Sequence, residues 1–118
     1  MQKNNFTIIT LSPPWLPRVA ALERECFARP WSMETLMGEM NNPRSRFLLA
    51  VAGHQLAAYG SMQQVLDEGY INNIATSPRF RRQGAARQIL RALVSLGEEG
   101  GLRFLTLEVR ESNQAARA

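Results

Sequence analysis

Residues 76–90 read TSPRFRRQGAARQIL. Arg79, Arg81, Arg82 and Arg87 crowd around one glycine, Gly84, which two alanines, Ala85 and Ala86, follow. A helical pattern of apolar residues starts here: Ala86, Ile89, Leu90, Leu93, Val94 and Gly97. That spacing puts one face of the helix in a core. The first turn of a helix has unpaired N–H groups and the positive end of the dipole, so it binds phosphate well. A β-rich run, YINNIAT at 70–76, delivers the chain to this point. The pattern R-x-x-G-x-A, Arg81 to Ala86, is therefore expected to cradle a pyrophosphate, with small residues leaving the backbone open. It is not a P-loop, which ends Gly-Lys-Ser/Thr, and not the dinucleotide fingerprint G-x-G-x-x-G. A solvated basic face is the other reading of these arginines, and for Arg91 it is the simpler one.

Glu108 is the second residue whose setting suggests chemistry. In RFLTLEV, 103–109, alternation sends Arg103, Leu105, Leu107 and Val109 to one side of a strand and Phe104, Thr106 and Glu108 to the other. A carboxylate among apolar strand residues is costly to bury unpaired. A sheet end open to water, or an arginine partner, would relieve that cost. A general base is the functional alternative, because partial burial raises a carboxyl pKa toward the useful range.

The elements that must position these residues follow from local signals. FTIITL suits a first strand, and the prolines of SPPWLP interrupt it. Val19, Leu22 and Cys26 are spaced as a helix, which Pro30 breaks or follows. Ser32 is a fitting N-cap for METLMGEM, with Glu34 in its first turn. RFLLAVA and QLAAYGSMQQV read as antiparallel strands joined at Gly53-His54, and DEG at 67–69 as the next turn. The helix after Gly84 runs to about 96, and Gly100-Gly101 stops it. The expected order is β-α-α-β-β-β-α-β, an α/β (α+β) fold with a mixed sheet. The strand–helix–strand crossover makes its last two strands parallel.

Length and composition bound the function. The chain has 118 residues, 45% hydrophobic and 20% charged, which suits one soluble domain over 1–118. The net charge of +4, carried almost wholly by arginine, favours an anionic partner without marking a nucleic-acid binder. One cysteine forbids an internal disulfide, and one cysteine with one histidine cannot form a usual zinc site, so no metal is expected. No apolar run approaches the roughly 20 residues of a membrane span. The start, MQKNNFTIIT, lacks the apolar region of a secretory signal. A cytoplasmic setting is expected.

NIATSPRFRRQGAARQIL followed by LTLEVRESNQAA resembles the GNAT acetyltransferase superfamily. With ECFARPWS, VLDEGYINNIAT and LEVRESN, the chain is similar more narrowly to bacterial ribosomal-protein-alanine N-acetyltransferases. The resemblance covers nearly the whole chain. It implies acetyl-coenzyme A as co-substrate and a protein or peptide N-terminus as acceptor, with no membrane and no specific nucleic acid as partner. It further implies that the backbone of Ile74, Ala75 and Thr76 pairs with the pantetheine arm. Arg82, Gln83, Gly84, Ala85, Ala86 and Arg87 would then cradle the pyrophosphate, Asn113 would lie near the cofactor, and Glu108 would be the proton acceptor. Direct attack by the amine needs no acyl-enzyme, so Cys26 reads as a small buried residue. Trp15 and Trp31 read as packing residues, though the resemblance sets the RPWS segment beside the acceptor.

The resemblance also implies a further helix and two strands after ESNQAARA, with a tyrosine that protonates the leaving thiolate. Tyr59 and Tyr70 fall in earlier strands. A C-terminally incomplete domain is therefore expected, weakly active or inactive, with an apolar edge at 103–109 open to self-association. Three other readings stay open at this point. They are a small-molecule amine acetyltransferase of the same fold, a non-catalytic acyl-coenzyme A-binding module, and a basic nucleic-acid-binding module.

Overall fold

The computed structural model describes residues 5–107 of the chain. Strand β1 is Thr7–Thr10, helices α1 and α2 are Leu16–Cys26 and Met33–Met40, and strands β2, β3 and β4 are Ser45–Ala52, Gln55–Val65 and Glu68–Thr76. Helix α3, Ala85–Glu99, and strand β5, Phe104–Leu107, complete the expected order. Short-range chemistry sets most boundaries. Pro17 lies in the first turn of α1, where a missing N–H breaks no helical bond. Ser32 caps α2 by accepting from the Thr35 N–H at 3.2 Å, with Glu34 in the first turn. At the far end of α3, the Gly100 N–H reaches the Leu96 carbonyl at 3.0 Å, and Gly101 takes φ 79°.

The strands lie side by side in chain order. The first three pairings are antiparallel. α3 carries the chain back across the sheet, so β5 runs parallel to β4. The sheet is covered on both faces. Phe47, Leu49 and Tyr59 pack with Val19 and Leu22 of α1 and Leu36 of α2. Leu48, Ala58, Met62, Ile71 and Ile74 pack with Ile89 and Leu93 of α3. Strand alternation divides RFLLAVA between these two cores, which is why that run is apolar throughout. Gly60 admits α3 closely: a Cβ there would stand 2.5 Å from Ile89 Cγ2.

Three details depart from expectation. The turn before β4 is Leu66-Asp67, with Leu66 at φ 57°, and Gly69 lies inside the strand. A Cβ at Gly69 would meet Leu102 Cδ1 at 2.6 Å, so this glycine serves close packing and not the turn. The buried face of α3 is Ala85, Ile89, Leu93 and Gly97, whereas Val94 is exposed. The face is thus rotated toward Ala85 from the expected one, and the Ala85 methyl fills core instead of leaving room at the helix start. The helix also extends past 96 to Glu99. All four residues of β5 are exposed, Phe104 at 60% and Leu107 at 56%. Among the described residues, no helix is long and apolar enough to cross a membrane.

Candidate functional site

The helix start at Gly84 is assembled by β4 and the loop that leaves it. β3 and β4 slip register between Ser61–Asn73 and Met62–Ile71, so Asn72 is bulged. The Ser61 hydroxyl and the Asn72 side-chain oxygen, 2.9 Å apart, hold the bulge. A bulge bends and re-aims a strand, here the segment Asn73–Thr76. The Ser77 N–H then donates to the Ala57 carbonyl at 2.8 Å. A single tight turn, Pro78–Phe80, follows, and the Phe80 ring stands edge-on to Phe6 at 6.0 Å.

Beyond that anchor the backbone takes positive φ twice, at Arg82 (64°) and Gly84 (86°). Turns of this kind gather N–H groups around an anion. At Gly84 the left-handed conformation suits glycine and strains any other residue. The first bond of α3 runs from the Gln88 N–H to the Gly84 carbonyl at 3.0 Å. No side chain caps this end and no acidic residue lies in the first turn. The N–H groups of Ala85, Ala86 and Arg87 therefore have no acceptor within the helix. Arg82 and Arg87 are exposed, and Gly84 and Ala86 are half-buried. Gln83 donates from Nε2 to the Arg79 carbonyl at 3.2 Å, closing the loop on itself.

The remaining expected positions divide. Ile74 and Ala75 are buried and Thr76 is half-buried. All three lie beyond the described pairing of β4 with β5, which spans Glu68 to Ile71. Glu108 and Asn113 lie outside the described residues. Cys26 is buried, and its Sγ donates to the Thr76 carbonyl at 3.6 Å. Burial pushes the thiol pKa up, and the Arg81 guanidinium beside it pulls the other way. Arg81 thus acts on the end of α1 as well as on the loop. His54 is exposed, while Trp15 and Trp31 pack against the α1–α2 core, as expected.

One buried group escaped sequence reasoning. Glu23, in the middle of α1, is 0% exposed. Its carboxyl group accepts from the Tyr59 hydroxyl of β3 and from the Trp31 N–H at 2.7 Å. It therefore ties the α1–α2 connection to the sheet. Its helical spacing from Val19 and Cys26, four residues before it and three after, was the available signal. Among the described residues, no group of three or more His, Cys, Asp and Glu side chains is placed to hold a metal ion.

A strand end, a left-handed glycine turn and an uncapped helix start thus lie together, with arginines on either side of the turn. Residues 16–118 match the Acetyltransferase (GNAT) family. The chain belongs to the GNAT acetyltransferase family. Enzymes of this family take acetyl from acetyl-coenzyme A, and the uncapped N–H groups at Gly84 fit a pyrophosphate. The chain is 40% identical to the ribosomal protein bS18-alanine N-acetyltransferase of Salmonella typhimurium over 110 residues, which cover 93% of this chain and 74% of that protein. The crystal structure of the ribosomal-protein-S18-alanine N-acetyltransferase from Escherichia coli superposes with a TM-score of 0.81 at 36% identity, covering 95% of this chain and 72% of that one. The PaiA N-acetyltransferase of Thermoplasma acidophilum, solved in complex with coenzyme A, shares the GNAT fold at 17% identity, with a TM-score of 0.77 over 95% of this chain and 84% of its own.

Proposed function

We propose that this GNAT chain transfers acetyl from acetyl-coenzyme A to the N-terminal α-amino group of a protein, the alanine of ribosomal protein bS18 or its equivalent. The observation that carries the reading is the turn at Gly84. Three helix-start amides without an intrahelical acceptor lie beside Arg82 and Arg87, at the end of the bulged strand β4. The relatives named for bS18 at 36–40% identity support the acceptor.

Arg82, Gln83, Gly84, Ala85, Ala86 and Arg87 hold the pyrophosphate, mainly through main-chain N–H groups. The backbone of Ile74, Ala75 and Thr76 lies along the pantetheine arm, and Asn113 lies near the cofactor. Glu108 removes the proton from the acceptor ammonium, because only the neutral amine attacks a thioester. Positioning, a base and donors for the carbonyl oxygen suffice, so no covalent acyl-enzyme forms. A buried thiol with a raised pKa suits the packing role of Cys26. Residues 1–118 act as one domain in the cytoplasm, and the exposed strand Phe104–Leu107 lets two copies associate edge to edge.

Calorimetric titration with acetyl-coenzyme A, repeated on Gly84→Glu, tests the site. Glutamate is strained at φ 86° and repels phosphate, so affinity should fall at least about tenfold, or about 1.4 kcal/mol. Equal affinity in the two proteins, both folded by circular dichroism, removes the basis of the assignment. A peptide with the bS18 N-terminus, assayed beside polyamines, tests the acceptor; acetylation of the amines alone rejects it.

A further inference from the structure

Helix α1 ends against the strand that leads to the Gly84 turn. The Ser77 N–H donates to the Ala57 carbonyl of β3. A trans peptide sends the Thr76 carbonyl the opposite way, to the edge of β4 turned from β3. The Cys26 Sγ meets that carbonyl at 3.6 Å. The last turn of α1 therefore borders the edge along which the pantetheine arm is proposed to lie. The chain that leaves α1 there is on the surface: Ala28, Arg29, Pro30 and Ser32 are exposed, and Trp31 is half-buried. An amine that reaches the carrier on this face of the sheet passes that segment.

Glu23 decides where the segment lies. Its carboxyl group accepts from the Trp31 N–H at 2.7 Å and from the Tyr59 hydroxyl. Tyr59 is fully buried and is the ladder partner of Ala75. One carboxyl group thus ties the Trp31 main chain to the strand pair that carries the arm. At 0% exposure it gives up hydration to make these bonds, so its net yield in stability is small. Its yield in orientation is larger, because a hydrogen bond has a narrow range of lengths and angles. An apolar side chain would fill the same space without fixing the direction of the Trp31 main chain.

We infer that Glu23 is a positioning residue for the acceptor. Through the Trp31 N–H it holds residues 28–32 beside the carrier's edge of β4, and the amine-bearing chain docks against that segment. This role rests on the transfer reading above and takes its acceptor class, a peptide N-terminus, from it. The carboxyl group touches neither substrate. It acts through the Trp31 main chain, and so on acceptor affinity and not on coenzyme A affinity.

The test separates position from stability. Glu23→Leu/Tyr59→Phe replaces both buried partners with apolar groups of similar shape, a change that can be nearly neutral for folding, and removes the hold on Trp31. Calorimetry measures two affinities of the 118-residue chain: for coenzyme A and, once loaded with coenzyme A, for a peptide with the bS18 N-terminus. The double variant, folded by circular dichroism, should bind coenzyme A like the wild type and the peptide about tenfold more weakly, as when the docked position falls to about a tenth of the population. Glu23→Gln, whose side-chain carbonyl still accepts from Trp31, should keep the peptide affinity. Equal loss of both affinities, loss of neither, or a glutamine variant as weak as the double variant overturns the inference. In the wild type itself, the Trp31 amide resonance should shift when the peptide binds. A resonance that stays put overturns the inference too, whether or not the variants fold. Spermidine run in parallel keeps the two readings apart. If the loaded wild type binds spermidine alone, the peptide acceptor is wrong, and the same variants titrated with spermidine then test the clamp. Binding of neither rejects the transfer reading and this inference together.

Discussion

Tyr59→Phe isolates the clamp that joins α1, the α1–α2 connection and the sheet. The substitution deletes one oxygen and keeps the ring. Tyr59 is fully buried and stacks on Phe47, with centroids 5.2 Å apart and planes 19° from parallel. Phenylalanine preserves that stack and leaves almost no cavity. What is lost is the Tyr59 hydroxyl as a donor to the Glu23 carboxyl group, which remains at 0% exposure and keeps the Trp31 N–H. Leaving a buried polar group short of a partner costs about 1–3 kcal/mol, so the expected destabilisation is about 2 kcal/mol. For a domain of this size that lowers the melting temperature by about 8 °C.

Urea unfolding followed by circular dichroism measures the effect. The midpoint should fall with the slope unchanged, because the surface exposed on unfolding is the same. Glu23→Gln in the Tyr59→Phe background closes a double-mutant cycle. The double variant should lose less than the sum of the single losses, with a coupling of about 1 kcal/mol. A cost below about 0.5 kcal/mol for Tyr59→Phe, within the range of ordinary surface changes, would refute the reasoning. The hydroxyl would then do no more for Glu23 than water does.

Three further outcomes are expected. Gly60→Ala should destabilise by about 1–3 kcal/mol in the same urea assay, because the new methyl meets Ile89 Cγ2 at 2.5 Å and α3 must shift to admit it; a neutral result would mean that α3 rides loosely on the sheet. The wild-type chain should self-associate in concentrated solution by light scattering, and Leu105→Lys should leave it monomeric, since charge on an edge strand blocks pairing; a monomeric wild type rejects the edge-to-edge reading. Cys26 should be alkylated at least about tenfold more slowly in the folded chain than in urea. Its pKa is raised in the fold, chiefly by burial, so the unfolded thiol ionises first. Stability should therefore be fully present below the ordinary thiol pKa and should decline as pH rises past it toward the folded value; urea midpoints that do not fall across that range would contradict this.

Features made by neighbours in the chain were legible, and features made by distant contacts were not. Ser32 announces its cap because the hydroxyl and the Thr35 N–H it satisfies are three residues apart. Gly84 announces the turn and the start of α3 because a strand, a small residue and an apolar helical repeat follow one another within 20 residues. The parallel β5 follows from the length of one crossover. Gly69 was misread because glycine after Asp67-Glu68 resembles a turn, while its real constraint is the Leu102 side chain, which arrives from 33 residues later. Leu66 takes the left-handed turn conformation instead, so packing outweighed local preference. Glu23 and Tyr59 meet across 36 residues, and no periodicity in either segment encodes that meeting. Local chemistry thus explains how the chain leaves the amides at the start of α3 without intrahelical acceptors, and only the folded sheet explains why that loop stays where the strand and helix need it.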